Sequence, residues 1–262
     1  MTDWGHYLST MRTNAPLVQN IANYVSMNVM ANVLLAAGCS PAMVHAEEEA
    51  AEFASFTSAL TINIGTLSRD WVKSMESAAK AADAAGTPWV LDPVAAGATA
   101  FRRETAEKLL ACNPSIIRGN ASEIMALGGM VAKGKGADAA DSVDAAKDAA
   151  IALAKNSGAI VAVTGEVDYI TDGDKAYSIA NGHALMPLVT ALGCSLTGVV
   201  AAFAVGQDRL EATTAAIAFY GLAGERAAQK ATAPGSFAVA FIDALHEITP
   251  ADLAAGAQIE EA

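Results

Sequence analysis

The chain has 262 residues, and 53% of them are hydrophobic, which excludes an intrinsically disordered protein. It carries 16 Lys and Arg against 28 Asp and Glu, and the net charge of −12 disfavours general nucleic-acid binding, which requires a basic surface. Its three cysteines are scattered, which excludes a CxxC pair or a zinc-ligand spacing. The sequence shows no signal peptide and no apolar run near the ~18 residues of a membrane span, so we expect a cytoplasmic protein.

Short β-rich runs alternate with Ala-rich helical patterns, which is typical of a layered α/β protein. In chain order, the patterns predict helix 19–37, strand 59–65, helix 69–85, strand 88–94, helix 104–111, strand 115–120, helices 122–128 and 142–156, strand 159–166, a hairpin over 166–179, and helices 195–206, 208–230 and 237–247. We therefore expect a mostly parallel sheet with helices on both faces and one added antiparallel hairpin.

Nothing in the composition divides the chain into parts. It contains no internal repeat and no interdomain linker, so we expect residues 1–262 to form a single domain. The Gly- and Lys-rich segment 131–142 is expected to be a mobile surface loop.

Polar residues or glycines follow the ends of four predicted strands. They are Asn63 and Gly65, Asp92, Arg118 and Asn120, and Thr164 and Glu166. In open parallel sheets, the carboxyl ends of the strands line the ligand crevice. We therefore expect these groups to converge on one edge of the sheet, although turns are polar in any protein.

Gly193, Cys194, Ser195 and Thr197 open a helix that is otherwise small and apolar. Unpaired N–H groups and the helix dipole at such a position form an anion-binding cup. A thiol there is expected to have a lowered pKa, so Cys194 is a candidate general base. The alternative is that Cys194 is a small filler of the core. The GxxxxGK[ST] phosphate-binding pattern is absent.

Seven blocks of the sequence together resemble the hydroxyethylthiazole kinase family of the ribokinase-like superfamily. The blocks follow one another in order over nearly the whole chain. They are PLVQNIANYVSMNVMANVLLAAGCSPAMVHAEEE (16–49), LTINIGTLS (60–68), WVLDPVAAGAT (89–99), IIRGNASEIMAL (116–127), VAVTGEVDYITDG (161–173), GCSLTGVVAAF (193–203) and PGSF (234–237).

This resemblance implies a three-layer ribokinase-like fold and a thiamine-salvage kinase. The implied reaction is ATP-dependent phosphorylation of the hydroxyethyl group of 4-methyl-5-(2-hydroxyethyl)thiazole. The resemblance also implies a homotrimer in which neighbouring subunits share the thiazole pocket.

Site residues follow from the resemblance by position. The thiazole alcohol would contact Asn23, Met43, Gly65 and Ala191, and ATP would contact Arg118, Asn120, Thr164 and Gly193. Asp92 and Glu123 would organise Mg²⁺, partly through water, and Cys194 would take the place of the catalytic base. Carboxylates with water and phosphate oxygens suit Mg²⁺, and a guanidinium suits phosphate.

Each of these roles has a structural alternative. Asp92 precedes Pro93 and can shape a turn, whereas Glu123 can form a capping box with Asn120. Arg118 can be an ordinary ion-pair partner. The predicted first helix also carries four amides, which would line a pocket or an interface or satisfy nearby backbone; they are Asn20, Asn23, Asn28 and Asn32.

The loop before Cys194 departs from the family pattern at three positions. Leu188 replaces a Lys, Ala191 replaces a Gly, and Leu192 replaces a small Thr or Ala. Ala191 is strained if its φ is positive, and Leu192 is expected to add bulk and remove a hydroxyl near the phosphates. We therefore expect reduced efficiency or a shifted preference for the alcohol.

Two other functions remain open on the sequence. One is a related ribokinase-like kinase for another heteroaromatic alcohol, which rates measured across alcohols would distinguish. The other is a non-catalytic trimeric protein that binds thiazole or nucleotide without forming ADP. An NAD-dependent dehydrogenase is disfavoured because no GxGxxG follows the first strand.

Overall fold

The computed structural model describes residues 2–132 and 143–262. Most of the loop expected at 131–142 therefore lies outside the described residues. Within the described chain the strands form one sheet in the order β2-β1-β3-β4-β5-β6-β7-β8-β9. The strands are β1 (Leu17–Ile21), β2 (Ser40–Ala42), β3 (Ala59–Asn63), β4 (Trp89–Asp92), β5 (Ile116–Asn120), β6 (Ile160–Thr164), β7 (Asp168–Thr171), β8 (Ala176–Ile179) and β9 (Ile259–Glu261).

Helices cover both faces of this sheet. They are α1 (Trp4–Asn14), α2 (Met27–Ala37), α3 (Ala50–Ala54), α4 (Arg69–Ala85), α5 (Ala100–Leu110), α6 (Ala121–Ala132), α7 (Val143–Ser157), α8 (Leu192–Phe203), α9 (Arg209–Lys230), α10 (Pro234–Glu247) and α11 (Pro250–Gly256). In the described part of the chain, no helix is both long and apolar enough to cross a membrane.

The six strands from β2 to β6 run parallel, and β7, β8 and β9 join them antiparallel. The predicted α/β class, the mostly parallel sheet and the hairpin are thus confirmed. Register aligns the carboxyl ends of neighbouring strands: Asn63 pairs with Asp92, and Asn120 pairs with Thr164. The polar strand ends consequently lie along one edge of the sheet.

Two hydrophobic cores fill the spaces between the sheet and its helical layers. One packs α1, α2, α8, α9 and α10 on one face, and the other packs α4 to α7 on the opposite face. Local sequence sets the helix ends, as α4 illustrates. Ser68 accepts a hydrogen bond from Trp71 N at 3.2 Å at its start, and Gly86 ends it with φ of 71°. The predicted bounds of α4 are confirmed.

The predicted helix at 19–37 is wrong over residues 19–26. Residues 17–21 form β1, a turn follows, and α2 begins only at Met27. Asn20 lies in the strand, where it accepts from Thr61 Oγ1 at 2.9 Å, and Asn23 lies in the turn. These two amides therefore do not share a helix face with Asn28 and Asn32, which are exposed on α2.

Candidate active site

Asn63, at the end of β3, connects three parts of the site through its buried side-chain amide. Its Nδ2 donates to Asp92 Oδ2 at 2.7 Å. Its Oδ1 accepts from Gly65 N at 2.9 Å and from Asn23 Nδ2 at 2.8 Å. From the sequence, Asn63 was predicted only as a polar residue at a strand end. Its alignment with Asp92 on the neighbouring strand is the signal that reveals its role.

Asn23 lies in the turn between β1 and α2, and its amide has one possible orientation. Its Oδ1 accepts from Val25 N at 3.1 Å and from Ser26 N at 3.0 Å. Its Nδ2 is therefore left to donate to Asn63 and, at 3.3 Å, to Cys194 Sγ. The turn thus positions a hydrogen-bond donor against the thiol.

Gly65 and Met43 were both predicted to contact the substrate. A Cβ at Gly65 would lie 2.8 Å from Asn23 Nδ2 and 2.9 Å from Asn63 Oδ1, so only glycine leaves room for the amide pair. Met43 follows β2, two strands from β3, and its half-buried side chain packs against the core beneath α2. Gly65 is therefore bonded directly to the amide pair, whereas Met43 lies further out along the edge.

Asp92 is a buried carboxylate at the end of β4. Its Oδ2 accepts from Asn63 and from Thr197 Oγ1 at 3.0 Å. Its pKa is raised to about 6, because burial and, less strongly, the charge of Glu123 outweigh the lowering by Arg118 and the two donors. Asp92 is thus mostly ionised at neutral pH, in surroundings that favour its neutral form. The sequence analysis gave Thr197 no separate role.

Arg118 spans the edge from β5 to β6 and α8. Its Nη2 donates to Thr164 Oγ1 at 2.7 Å, its Nη1 donates to Gly193 O at 3.0 Å, and Nη1 lies 3.9 Å from Asp92 Oδ2. Its buried Nε has no hydrogen-bond partner among the described residues. A fixed guanidinium with a donor to spare is suited to bind an anion.

These contacts join seven side chains into one group, which we call the edge cluster. It consists of Asn23, Asn63, Asp92, Arg118, Thr164, Cys194 and Thr197. Five of these residues were predicted as site residues, and the structure brings all five together.

Glu123 and Asn120 form the capping box that was one alternative for them. Glu123 N donates to Asn120 Oδ1 at 3.0 Å, and Asn120 N donates to Glu123 Oε2 at 2.9 Å. Ala95 N donates to Glu123 Oε1 at 2.9 Å. The described residues contain no group of three or more metal-binding side chains. The carboxylates offered to a cation here are those of Asp92 and Glu123.

Cys194 lies in the first turn of α8, which begins at Leu192 rather than at the predicted 195. Burial raises the pKa of its thiol, and the nearby charge of Asp92 raises it further. Hydrogen bonds from Asn23 and Asn63 oppose this rise but do not reverse it. The expectation of a lowered thiol pKa is therefore wrong, because burial and Asp92 outweigh the helix start.

The unusual loop residues have different environments. Ala191 caps α8 with φ of 67° and ψ of −4°, so the conditional expectation of strain at this position is confirmed. Leu192 is buried in the core rather than crowding the phosphate loop, and its carbonyl accepts from Tyr220 OH at 2.8 Å. Leu188 is 62% exposed.

Comparison with known proteins assigns a family to this arrangement. The model of the hydroxyethylthiazole kinase family matches residues 8–251. A hydroxyethylthiazole kinase from Cereibacter sphaeroides is 65% identical over 258 residues, which cover 98% of each chain. One from Rhizobium leguminosarum bv. trifolii is 58% identical over 98% of this chain and 97% of the relative.

Solved structures agree with these matches. A hydroxyethylthiazole kinase from Pyrococcus horikoshii OT3 has a TM-score of 0.93 and 39% identity, with 100% of both chains covered. A pyridoxal kinase from Staphylococcus aureus, solved with AMP-PCP and pyridoxal, has a TM-score of 0.66 and 16% identity, with 95% of this chain and 98% of that chain covered. At 16% identity, the similarity to the pyridoxal kinase supports only the fold.

Ala191→Gly is expected to stabilise the protein. Glycine adopts a positive φ without the Cβ clash, which is worth about 1 kcal/mol and about 2–4 °C in melting temperature. Ala204→Gly, at the other end of α8 with φ of −69°, is the matched control and is expected to lower stability. Thermal unfolding of both variants measures the difference, and equal losses would contradict strain at Ala191.

Asp92→Asn is expected to raise stability at pH 8 while it abolishes activity. The rise in pKa from 3.8 to about 6 corresponds to at most about 3 kcal/mol. Because the folded state binds the Asp92 proton more tightly than the unfolded state does, the wild type gains stability as the pH falls from 6 to 4. The difference in free energy of unfolding between Asp92→Asn and the wild type is therefore expected to disappear over this range. Denaturation in metal-free buffer at both pH values measures it, with exposed Asp174→Asn as control. A gap that does not depend on pH would contradict the assignment.

Proposed function

Since this chain belongs to the hydroxyethylthiazole kinase family, we propose that the edge cluster is its active site. The enzyme phosphorylates the thiazole alcohol, with ATP as co-substrate. One observation carries the proposed site: a continuous set of contacts joins the thiol of Cys194, through Asn23, Asn63 and Asp92, to the guanidinium of Arg118. A possible proton acceptor and an anion-binding group thus share one sheet edge.

The proposed arrangement assigns the phosphates of ATP to the guanidinium side of the cluster. The guanidinium of Arg118 and the Thr164 hydroxyl lie there, and the first N–H groups of α8 add donors. Asn120 and Gly193 border the same position. Phosphoryl transfer depends mainly on positioning and on stabilising the charge of the moving group, which these donors supply.

The thiazole alcohol is assigned to the opposite side, beside Cys194. Asn23, Gly65 and Ala191 would border it, with Met43 further out. The alcohol oxygen attacks the γ-phosphorus of ATP, the bond from that phosphorus to the β–γ bridging oxygen breaks, and ADP leaves. The alcohol proton passes to the sulfur of Cys194 when the thiolate is present.

The donor set fits Mg²⁺, which we propose as the cofactor. Mg²⁺ prefers one or two carboxylates with water and phosphate oxygens, and the site offers the carboxylates of Asp92 and Glu123. Both protein hydrogen bonds to Asp92 go to Oδ2. When bound, the ion neutralises phosphate charge.

We also propose that the enzyme is a homotrimer. Large apolar side chains are exposed next to the edge cluster: Tyr24 and Val25, which follow Asn23, are 70% and 59% exposed. Leu35 on α2 and Val239 on α10 are 61% and 64% exposed, and these helices pack against each other. A subunit interface here would complete the thiazole pocket.

Turnover with site variants is the experiment that tests the proposed site. The purified protein with ATP and Mg²⁺ is expected to yield the phosphorylated thiazole, detected by mass spectrometry. Arg118→Gln is expected to raise KM for ATP at least tenfold. Arg103→Gln is the matched control, since within the described residues its guanidinium bonds to the exposed Gly97 carbonyl alone. An unchanged KM in Arg118→Gln would overturn the site.

The pH dependence of kcat tests Cys194 as the base. Because its thiol pKa is raised, little thiolate is present at pH 7, and kcat is expected to increase from pH 7 to 9. Cys194→Asp, with an ionised carboxylate, is expected to flatten this profile. Cys194→Ser is expected to lower kcat by about 10²-fold with little change in KM for ATP.

Cys112→Ser, at a cysteine whose Sγ bonds to the Lys108 carbonyl, is the control for that series. If Cys194→Ser is as fast as the wild type from pH 6 to 9, the thiol is packing and the base lies elsewhere.

Assembly is tested by light scattering. A mass of three times 26.6 kDa is expected for the wild type. Leu35→Glu is expected to reduce both the mass and kcat/KM for the thiazole alcohol, because a charge would enter the interface. A monomer with full activity would contradict a shared pocket.

A further inference from the structure

Asp168 is a buried carboxyl that has no part in the proposed reaction. It opens β7, one step beyond the antiparallel pair of Val163 and Tyr169, and therefore lies across the hairpin from Thr164. Its Oδ1 accepts from Gly165 N at 2.9 Å. The carboxyl thus closes the turn that carries the Thr164 hydroxyl.

The same carboxyl interacts electrostatically with Arg118. The pKa of Asp168 is raised to about 7, because burial outweighs the lowering by the Gly165 N–H and the Arg118 charge. Among the charged side chains nearby, Glu166 lies in the same turn and is exposed, and Lys147 of α7 lies over the Tyr169 ring at 5.3 Å. Arg118 is a charged group that acts on Asp168.

Two carboxyls therefore neighbour Arg118. Asp168 lies across the hairpin from Thr164, which is bonded to Arg118, and Asp92 Oδ2 lies 3.9 Å from the Nη1 of Arg118. Its Nη2 is bonded to Thr164 Oγ1, which in turn donates to Gly119 O at 3.2 Å. The Thr164 side chain is consequently held between the guanidinium and the turn that Asp168 closes.

Resting on the proposed ATP site, we propose that Asp168 is a positioning residue for ATP. It holds the Thr164–Gly165 turn through the Gly165 N–H, and its negative charge limits how strongly Arg118 attracts the phosphates of ATP. Asp168 touches no reacting atom. It acts through Thr164 and Arg118, and its two effects are separable because only one depends on charge.

The ionisation of Asp168 determines the direction in which KM for ATP changes with pH. Below pH 7 the carboxyl is mostly protonated and neutral, so Arg118 attracts phosphate with less opposition. As the pH rises through 7 the carboxylate forms, and its charge opposes the incoming phosphates. KM for ATP is therefore expected to rise with pH in the wild type because Asp168 ionises, in addition to any effect of the ionisation of ATP itself.

Asp168→Asn separates this effect from the structural one, since the amide oxygen can still accept from Gly165 N while the charge is lost. The measured quantity is the ratio of KM for ATP in the wild type to that in Asp168→Asn. It is expected to be near 1 at pH 5.5 and to reach about 5 at pH 8.5. Ionisation of ATP itself cancels in this ratio. A ratio that does not change with pH would overturn the charge role.

The turn-holding effect is tested by Asp168→Ala and Asp168→Ser. Asp168→Ala removes the acceptor and is expected to raise KM for ATP at every pH relative to the equally uncharged Asp168→Asn, whereas Asp168→Ser, with a hydroxyl, is expected to recover part of this loss. Equal KM in Asp168→Ala and Asp168→Asn would overturn this effect. Circular dichroism of each variant confirms that it is folded.

Asp172→Asn is the matched control. Asp172 lies in the same antiparallel region, and its Oδ1 likewise accepts backbone N–H groups, from Asp174 at 2.9 Å and from Lys175 at 2.7 Å. Because Asp172 is exposed at the far end of β7, its replacement is expected to leave KM for ATP unchanged across pH. A pH-dependent ratio in this control as well would overturn the assignment to Asp168.

Arg118→Gln distinguishes a failure of the proposed ATP site from a failure of the proposed role of Asp168. If Arg118→Gln does not change KM for ATP, the proposed ATP site itself fails. If it raises KM, the double variant Arg118→Gln/Asp168→Asn is expected to show no further pH-dependent change, because the charge acts through the guanidinium. A full Asp168→Asn effect in the double variant would overturn action through Arg118.

Discussion

The side-chain amide of Asn63 is the interaction on which the edge cluster depends. Its two ends differ chemically, since Nδ2 donates to the Asp92 carboxylate and Oδ1 accepts from Asn23 and Gly65. If the amide were reversed, its oxygen would face the Asp92 carboxylate, and its NH₂ group would face the N–H donors of Asn23 and Gly65. The turn after β1, which fixes the Asn23 oxygen, therefore also fixes the direction of every bond as far as Asp92.

Charge in the cluster is balanced by a single guanidinium. Arg118 lies close to Asp92 and acts on Asp168, and both carboxyls have pKa values raised by burial despite this help. The fold thus maintains ionisable groups in a place that favours their neutral forms, which lowers stability. A divalent cation bound at Asp92 and a polyanion bound at Arg118 would offset this cost at those two groups, which fits a site that is completed by its substrates.

Sequence alone gives the outline of the fold because its signals are local. Ser68 and Gly86 mark the ends of α4, and apolar runs closed by polar residues mark β3 to β6. β1 was missed because it is buried on both faces, as its burial pattern shows, so it has no polar–apolar alternation to distinguish it from a helix. The short elements β2, α3 and β9 span five residues or fewer and carry too little pattern.

The site is only partly predictable for a related reason. Family blocks point to Asp92, Arg118 and Cys194, but Asn63 and Thr197 gain their roles from a carboxylate 29 and 105 residues away.

The protonation state of Cys194 shows most clearly what sequence leaves out. A helix start and a glycine favour a thiolate, yet burial and the carboxylate of Asp92 favour the thiol. Two adjacent negative charges in a buried site repel each other, so the proton is held by one group while the other stays ionised. Both groups accept hydrogen bonds, but an ordinary carboxyl has a pKa of 3.8 and an ordinary thiol one of 9.0, so Cys194 is the group that keeps its proton.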